Sequence, residues 1–152
     1  MAEIKYHKLN YFKTKVPVSK SQSDIEKILN KFGLQGTRFT KYKGVGIIEF
    51  ILFKNENEIM FRFKYNLPED ERIKRQVYRA LFYYLKNRFL AVQFGISTIE
   101  EEFMQETVLK LPDGTVGTIK EIVGDKIAKL QYNDLRILEE KEAETKWISQ
   151  KR

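Results

Sequence analysis

Between Pro68 and Gly95 nothing interrupts a helix, and the window holds more apolar residues than one helical face needs. Leu67-Pro68-Glu69-Asp70-Glu71 supplies the start. Proline is tolerated in a first turn, and carboxylates are favoured by the partial positive charge of a helix N-terminus. The spacing predicts a helix from about Glu69 to Phe94, stopped by Gly95. Ile73, Val77, Leu81, Tyr84 and Leu85 form one apolar stripe; Tyr78, Phe82, Phe89 and Val92 form a second beside it. An arc this wide calls for burial on two sides, by a sheet and by another helix or a second subunit.

The sheet is found just upstream. Thr37 to Lys43 reads as a weak, polar strand. Val45 to Phe53 is apolar on both faces, which predicts a central strand covered on each side. Glu58 to Tyr65 alternates, with Ile59, Phe61, Phe63 and Tyr65 directed inward and Arg62 and Lys64 outward. Turns at Tyr42-Lys-Gly-Val45 and Lys54-Asn-Glu-Asn57 are short enough to favour an antiparallel meander.

The flanks are less regular. Residues 5–18 read as an extended segment ended by Pro17. Ser23 and Glu26 make a capping box for a helix that buries Ile25, Ile28, Leu29 and Phe32 and stops at Gly33. Ser97 or Thr98 caps a short helix beginning at Glu100-Glu101-Glu102. Leu109 to Gly114 is a short extended piece and a turn; Thr115 caps a further helix through Val123, ended by Gly124; Lys126 to Leu130 is extended. The expected fold is α+β: a small antiparallel sheet of three to four strands packed on one long helix, with short additional helices. It forms a single domain over residues 1–137, followed by a charged tail over 138–152 in which Trp147 is the one large anchor.

Composition closes off several kinds of chemistry. There is no cysteine, so no disulfide, thiolate metal site or Cys nucleophile; the one histidine, His7, cannot hold zinc without further carboxylate ligands. Glu100, Glu101 and Glu102 point in different directions on a helix and do not converge on a metal. Glu49, the one carboxylate in an apolar strand, is expected to pair with Arg62 or Lys64 rather than serve as a general acid. No cofactor is called for, and an enzyme is the least favoured class. Met1 to Lys8 lacks an apolar run, and no window of 18 uncharged apolar residues occurs, so neither a signal peptide nor a membrane partner is expected, and a cytoplasmic location is.

A run of motifs resembles a known group of sequences. They are Val16-Pro-Val-Ser-Lys20, Ile25-Glu-Lys-Ile-Leu-Asn-Lys-Phe-Gly33, Gly44-Val-Gly-Ile-Ile-Glu-Phe50, Arg75-Gln-Val-Tyr-Arg-Ala-Leu-Phe-Tyr-Tyr-Leu-Lys86, Phe94-Gly-Ile-Ser-Thr-Ile-Glu-Glu-Glu-Phe103 and Leu111-Pro-Asp-Gly-Thr-Val-Gly117. Over roughly residues 16–120 the chain is similar to a family of small uncharacterised phage and prophage proteins. Members carry a Trp after the Thr-Val-Gly element, where this chain continues Thr118-Ile119. The resemblance implies a viral or mobile-element setting, in the host cytoplasm, and assigns no activity and no site residue.

Charge supplies the functional expectation. Residues 1–97 hold 19 basic and 9 acidic side chains, and residues 98–152 hold 9 and 12. A basic body suits a polyanionic partner. Arg72, Arg75, Arg79, Tyr83 and Lys86 step by three or four residues and share one helical face. Guanidinium groups with an aromatic among them suit a phosphate backbone and a stacked base. Arg62 and Lys64, with Arg38, Lys41 and Lys43 near them, form a second basic patch. The expected role is that of a non-enzymatic phage-type accessory protein binding DNA or RNA. The alternative is a protein-interaction module, a homodimer or a binder of a host protein, motivated by the doubly apolar helix. The order helix, three strands, helix also matches double-stranded RNA-binding domains, but the acidic start of the second helix would repel phosphate there.

Overall fold

The computed structural model describes residues 3–129, and the side chains of residues 3–124. Helix α1 spans Val18–Lys31 and leads into a meander, β1 (Leu34–Tyr42), β2 (Val45–Lys54) and β3 (Asn57–Asn66); the long helix α2 follows at Glu71–Gln93. A single-turn helix α3 (Ile99–Glu102), a small hairpin β4 (Val108–Lys110) and β5 (Val116–Thr118), and helix α4 (Ile119–Lys129) complete the described chain. The fold is α+β, and the main sheet is antiparallel with the order β1-β2-β3.

The meander follows from its turns. Lys43-Gly44 and Asn55-Glu56 all have positive φ, as two-residue hairpin loops that match strand twist require. Register then places Phe39, Ile48 and Phe63 in one inward row, and Arg38, Glu49 and Arg62 in the next, outward one. Gly46 lies opposite Tyr65, whose ring covers it so closely that a Cβ there would lie 2.1 Å from Cε2. No side chain fits at that point without displacing the ring.

Helix α2 starts one residue after Asp70, whose carboxylate accepts from the Ile73 amide at 3.0 Å. Its width of apolar surface finds three partners. Leu81, Leu85 and Phe89 are buried in the core with Ile48, Phe50, Phe61 and Phe63. Helix α1 packs alongside, with Phe32 stacked on Phe89 at 4.4 Å. The N-terminal segment covers a further flank. The second stripe therefore needs no second subunit to cover it. Tyr84 departs from the expected stripe: it is exposed, its ring edge-on to Phe63. Phe103, just after α3, is fully buried and lies within 6 Å of the rings of Phe50, Phe61, Phe63 and Phe89. Burying such a ring contributes about 1.5–3 kcal/mol.

The flanks correct four expectations. Residues 5–18 are not a strand: Tyr6–Lys8 is a turn of 3-10 helix, and the chain continues irregularly to Pro17. Among the described residues no strand pairs with the segment; Gln76 of α2 holds it instead, through the Tyr6 and Asn10 carbonyls. Helix α1 begins at Val18, with Pro17 as its N-cap, and Ser23 lies inside it. Val18 and Ser21 extend the buried face of Ile25 and Leu29 by two turns, and that packing outweighs the Ser23 cap signal. Val116–Thr118 is a strand, so Thr115 caps nothing. Thr118 is the cap: its hydroxyl accepts from the Glu121 amide at 3.1 Å, and the Glu121 carboxylate accepts from the Thr118 amide at 3.2 Å. Finally, α4 runs through Gly124 to Lys129, so residues 126–129 are helical rather than extended. Leu130, the expected tail from 138 and Trp147 lie outside the described residues.

Central strand β2 is covered on its inner face, where Ile48 and Phe50 are buried, but unevenly on the other. There Ile47 and Ile51 are half-buried, Phe53 is exposed, and Glu49 is buried beneath two arginines. No helix among the described residues is long and apolar enough to cross a membrane.

Candidate nucleic-acid interface

The five α2 residues expected to form a ridge share a side of the helix but not a fate. Arg72 is exposed, with its guanidinium 4.2 Å above the Phe12 ring and its Nε donating to the Phe12 carbonyl at 3.4 Å. Arg75 is half-buried, and its Nε has no hydrogen-bond partner among the described residues. Arg79 departs from the ridge. Its side chain is 12% exposed, donates to Asp24 of α1 at 3.0 Å and lies 4.4 Å from the Phe82 ring. Hydrogen bonds from Lys20 and then Arg79 hold the Asp24 carboxyl below its usual range. Arg79 therefore joins two helices and presents little charge to solvent. Tyr83 is stacked under Tyr11, and Lys86 is exposed near the Phe82 ring. The expected unbroken ridge is thus interrupted at its centre. Helical periodicity shows which residues share a side; it does not show that α1 brings a carboxylate to meet one of them.

The sheet patch is interrupted more thoroughly. Arg38 and Arg62 both donate to Glu49, Arg38 through Nε to Oε1 and Arg62 through Nε to Oε2, each at 2.9 Å. Burial is the largest single influence on Glu49 and pushes its pKa up, but the hydrogen bonds and charges of the two arginines outweigh it and hold the carboxyl below its usual range. Glu49 is thus a paired carboxylate, as expected, with Arg62 and also with Arg38. Lys64 pairs with Glu121 of α4 at 2.8 Å. Lys41 lies on the other face from Arg38, in register with Gly46, and pairs with Glu69 at 2.9 Å. The acidic residues around α3 are each engaged separately: Glu100 with Lys54, Glu101 with Thr98, and Glu102 with Ser97. Among the described residues no group of three metal-ligating side chains gathers.

The N-terminal segment redraws the basic surface. Gln76 of α2, itself buried, donates its amide to the carbonyls of Tyr6 at 2.8 Å and Asn10 at 2.9 Å, with a longer contact to Leu9. This anchor, the Arg72–Phe12 contact and the Tyr11–Tyr83 stack fasten residues 6–12 along α2. Lys8 and Lys13 are carried with them, and Lys15 borders a cleft with Arg75. Lys8, Lys13, Lys15, Arg72, Arg75 and Lys86 have no salt bridge among the described residues; Glu71, also in that cleft, is within 3.4 Å of Lys74. Residues 3–31 and 71–93 together hold 13 basic and 4 acidic side chains, whereas 34–66 hold 6 and 3. The lysines of the segment escaped notice in the sequence because a strand was expected there. Their signal was the spacing Lys5, Lys8, Lys13, Lys15 with Glu3 the one acidic residue among the first 23.

No protein-family model matches this chain, and no curated protein or solved structure matches it.

Proposed function

We propose that this is a non-enzymatic accessory protein, of the phage type its motifs resemble, that binds the phosphate backbone of DNA or RNA. The binding surface is the N-terminal segment laid against α2: Lys8, Lys13, Lys15, Arg72, Arg75 and Lys86, with Arg79 reassigned to a structural role. One observation carries this reading. The Gln76 anchor sets lysines from one end of the chain beside arginines sixty residues away, and none of these cations is matched by a carboxylate among the described residues. Unpaired cations retain the capacity to displace counterions from a polyanion; paired ones have already lost much of it. Arg62 and Lys64 contribute less than the sequence leads one to expect, for that reason.

The test is electrophoretic shift over a salt series with generic DNA and RNA. The triple change Lys13→Ala, Lys15→Ala, Lys86→Ala affects exposed side chains, so the fold is kept. It is expected to weaken binding and to lower the slope of log affinity against log salt by about 2–3. A wild type that binds neither polymer at ~50 mM salt, where phosphate contacts are favoured, ends this reading.

A second reading, a homodimer or a binder of a host protein, draws on the far end of α2. Leu90, Phe94 and Ile96 are 48%, 75% and 77% exposed, an apolar group close together in the chain. Sedimentation equilibrium separates the two: a concentration-independent monomer removes the homodimer.

A further inference from the structure

Tyr11 holds a φ of +67°, a backbone conformation that bulky side chains avoid. Residues in such regions persist where their surroundings fix them, and they concentrate at functional sites. The Tyr11 ring lies 5.1 Å from that of Tyr83 and 11° from parallel. Yet the residue stays 38% exposed. The unusual backbone thus presents a flat ring at the surface rather than delivering it to the core. The stack covers one face of each ring, and Tyr83 is 36% exposed, but Tyr83 is hemmed in further: Phe82 meets it edge-on at 5.1 Å and the Arg79 guanidinium lies 5.6 Å from its centroid. The stacking role expected of Tyr83 passes to Tyr11.

Two shallow depressions adjoin this ring. One, of about 510 Å³, is lined by His7, Leu9, Phe12, Lys13 and Thr14 as well as Tyr11. The other, of about 430 Å³, lies between Tyr11 and α2, with Lys8, Gln76 and Ala80 among its walls. A nucleotide needs a flat π-face for its base and a cation within reach of its phosphate, and this site offers both. Bases inside a duplex are already stacked on each other; splayed, unpaired bases are the ones that aromatic side chains accept. We infer that Tyr11 is a stacking site for an unpaired nucleobase, so that single-stranded nucleic acid is the preferred ligand of this surface. The inference rests on the backbone-binding reading above and adds the class of strand to it.

Tyr11→Gly tests it, because glycine adopts positive φ without strain and the variant loses the ring while keeping the turn. Tyr11→Phe keeps the ring. The probes are a fluorescein-labelled poly(dT) strand of about 20 nucleotides, longer than the site of one small binding domain, and a blunt mixed-sequence duplex of the same length. Wild type is expected to bind the strand more tightly than the duplex. Tyr11→Gly is expected to lose at least about fivefold on the strand and less than about twofold on the duplex, with Tyr11→Phe close to wild type. No loss on the strand, equal losses on both probes, or a Tyr11→Phe loss as large as that of Tyr11→Gly overturns the stacking assignment and leaves backbone binding standing. Binding of neither probe by wild type at ~50 mM salt overturns backbone binding itself.

Discussion

Arg38, Arg62 and Lys64 on the outer face of the sheet, and Lys13, Lys15 and Arg72 on the helix side, look alike in the sequence: basic residues on elements with apolar partners. In the structure they part. Each of the sheet cations meets a carboxylate, Arg38 and Arg62 at Glu49 and Lys64 at Glu121. On the helix side the Gln76 amide, the Arg72–Phe12 contact and the Tyr11–Tyr83 stack fasten the chain without neutralising its cations. A count of charges measures the potential of a surface; the local pairing decides how much of it a partner can use. One basic group is matched within the fold; the other has no salt bridge among the described residues.

The comparison can be broken most directly at Glu49. Replacing Glu49 by Gln leaves two arginines facing a neutral group in a site where the carboxylate is 5% exposed. A loss of about 1.5–3 kcal/mol in denaturant unfolding is expected, the worth of hydrogen bonds to a charged group, since Arg62, 23% exposed, loses its charged partner while Arg38, 66% exposed, is left largely to solvent. The same carboxyl has a pKa lowered by folding, so its contribution is complete above the usual carboxylate range and is lost as pH falls through the lower folded value. Wild-type stability is therefore expected to fall more between about pH 5 and pH 3 than that of Glu49→Gln. Parallel pH profiles would assign the acid sensitivity elsewhere.

Gln76→Ala sharpens the other half. It removes the hydrogen bonds to Tyr6 and Asn10 from a residue that is 3% exposed, at a cost of about 1–3 kcal/mol. The freed segment is expected to be cleaved faster by trypsin at Lys8 and Lys13, and the protein to bind nucleic acid more weakly. Faster cleavage with undiminished binding would mean that the anchored geometry is irrelevant to the partner.

Arg79→Ala has the smallest expected effect, and its direction is the informative part. With Arg79 tied to Asp24, the variant is expected to lose a few degrees of Tm while the salt slope of binding stays that of wild type. The triple lysine variant is expected to show the reverse. A lowered slope for Arg79→Ala would restore the ridge in its sequence-derived form.

Much of the fold was legible because its signals are local. The strands of the meander, their turns and the span of α2 needed the alternation of Ile59, Phe61 and Phe63, the Lys43-Gly44 turn, and the acidic start at Glu69 to Glu71. Where local signals competed, the stronger contact won. Ser23 and Glu26 fit a capping box, but Val18 and Ser21, both ahead of Ser23, already pack into the fold. Thr118 and Glu121 carry the same box pattern three residues beyond Thr115, and there the reciprocal bonds form. The candidate site was legible only in part. The α2 residues were found by their spacing, while Tyr11 was not, because nothing in Leu9-Asn10-Tyr11-Phe12 announces a left-handed residue stacked on a ring 72 positions later.

By itself the sequence determined the periods of its helices and strands, the places where they turn, and the excess of positive charge in its first two-thirds, since each depends on residues within a few positions of one another. Tertiary structure alone decided which cations are matched. Asp24 meets Arg79, Glu49 meets Arg38 and Arg62, and Gln76 meets the carbonyls of Tyr6 and Asn10 only after separate elements have packed. A hydrogen bond or ion pair requires approach to about 3 Å, and for residues this far apart in the chain that approach is set by how helix, sheet and N-terminal segment dock, not by their spacing in sequence.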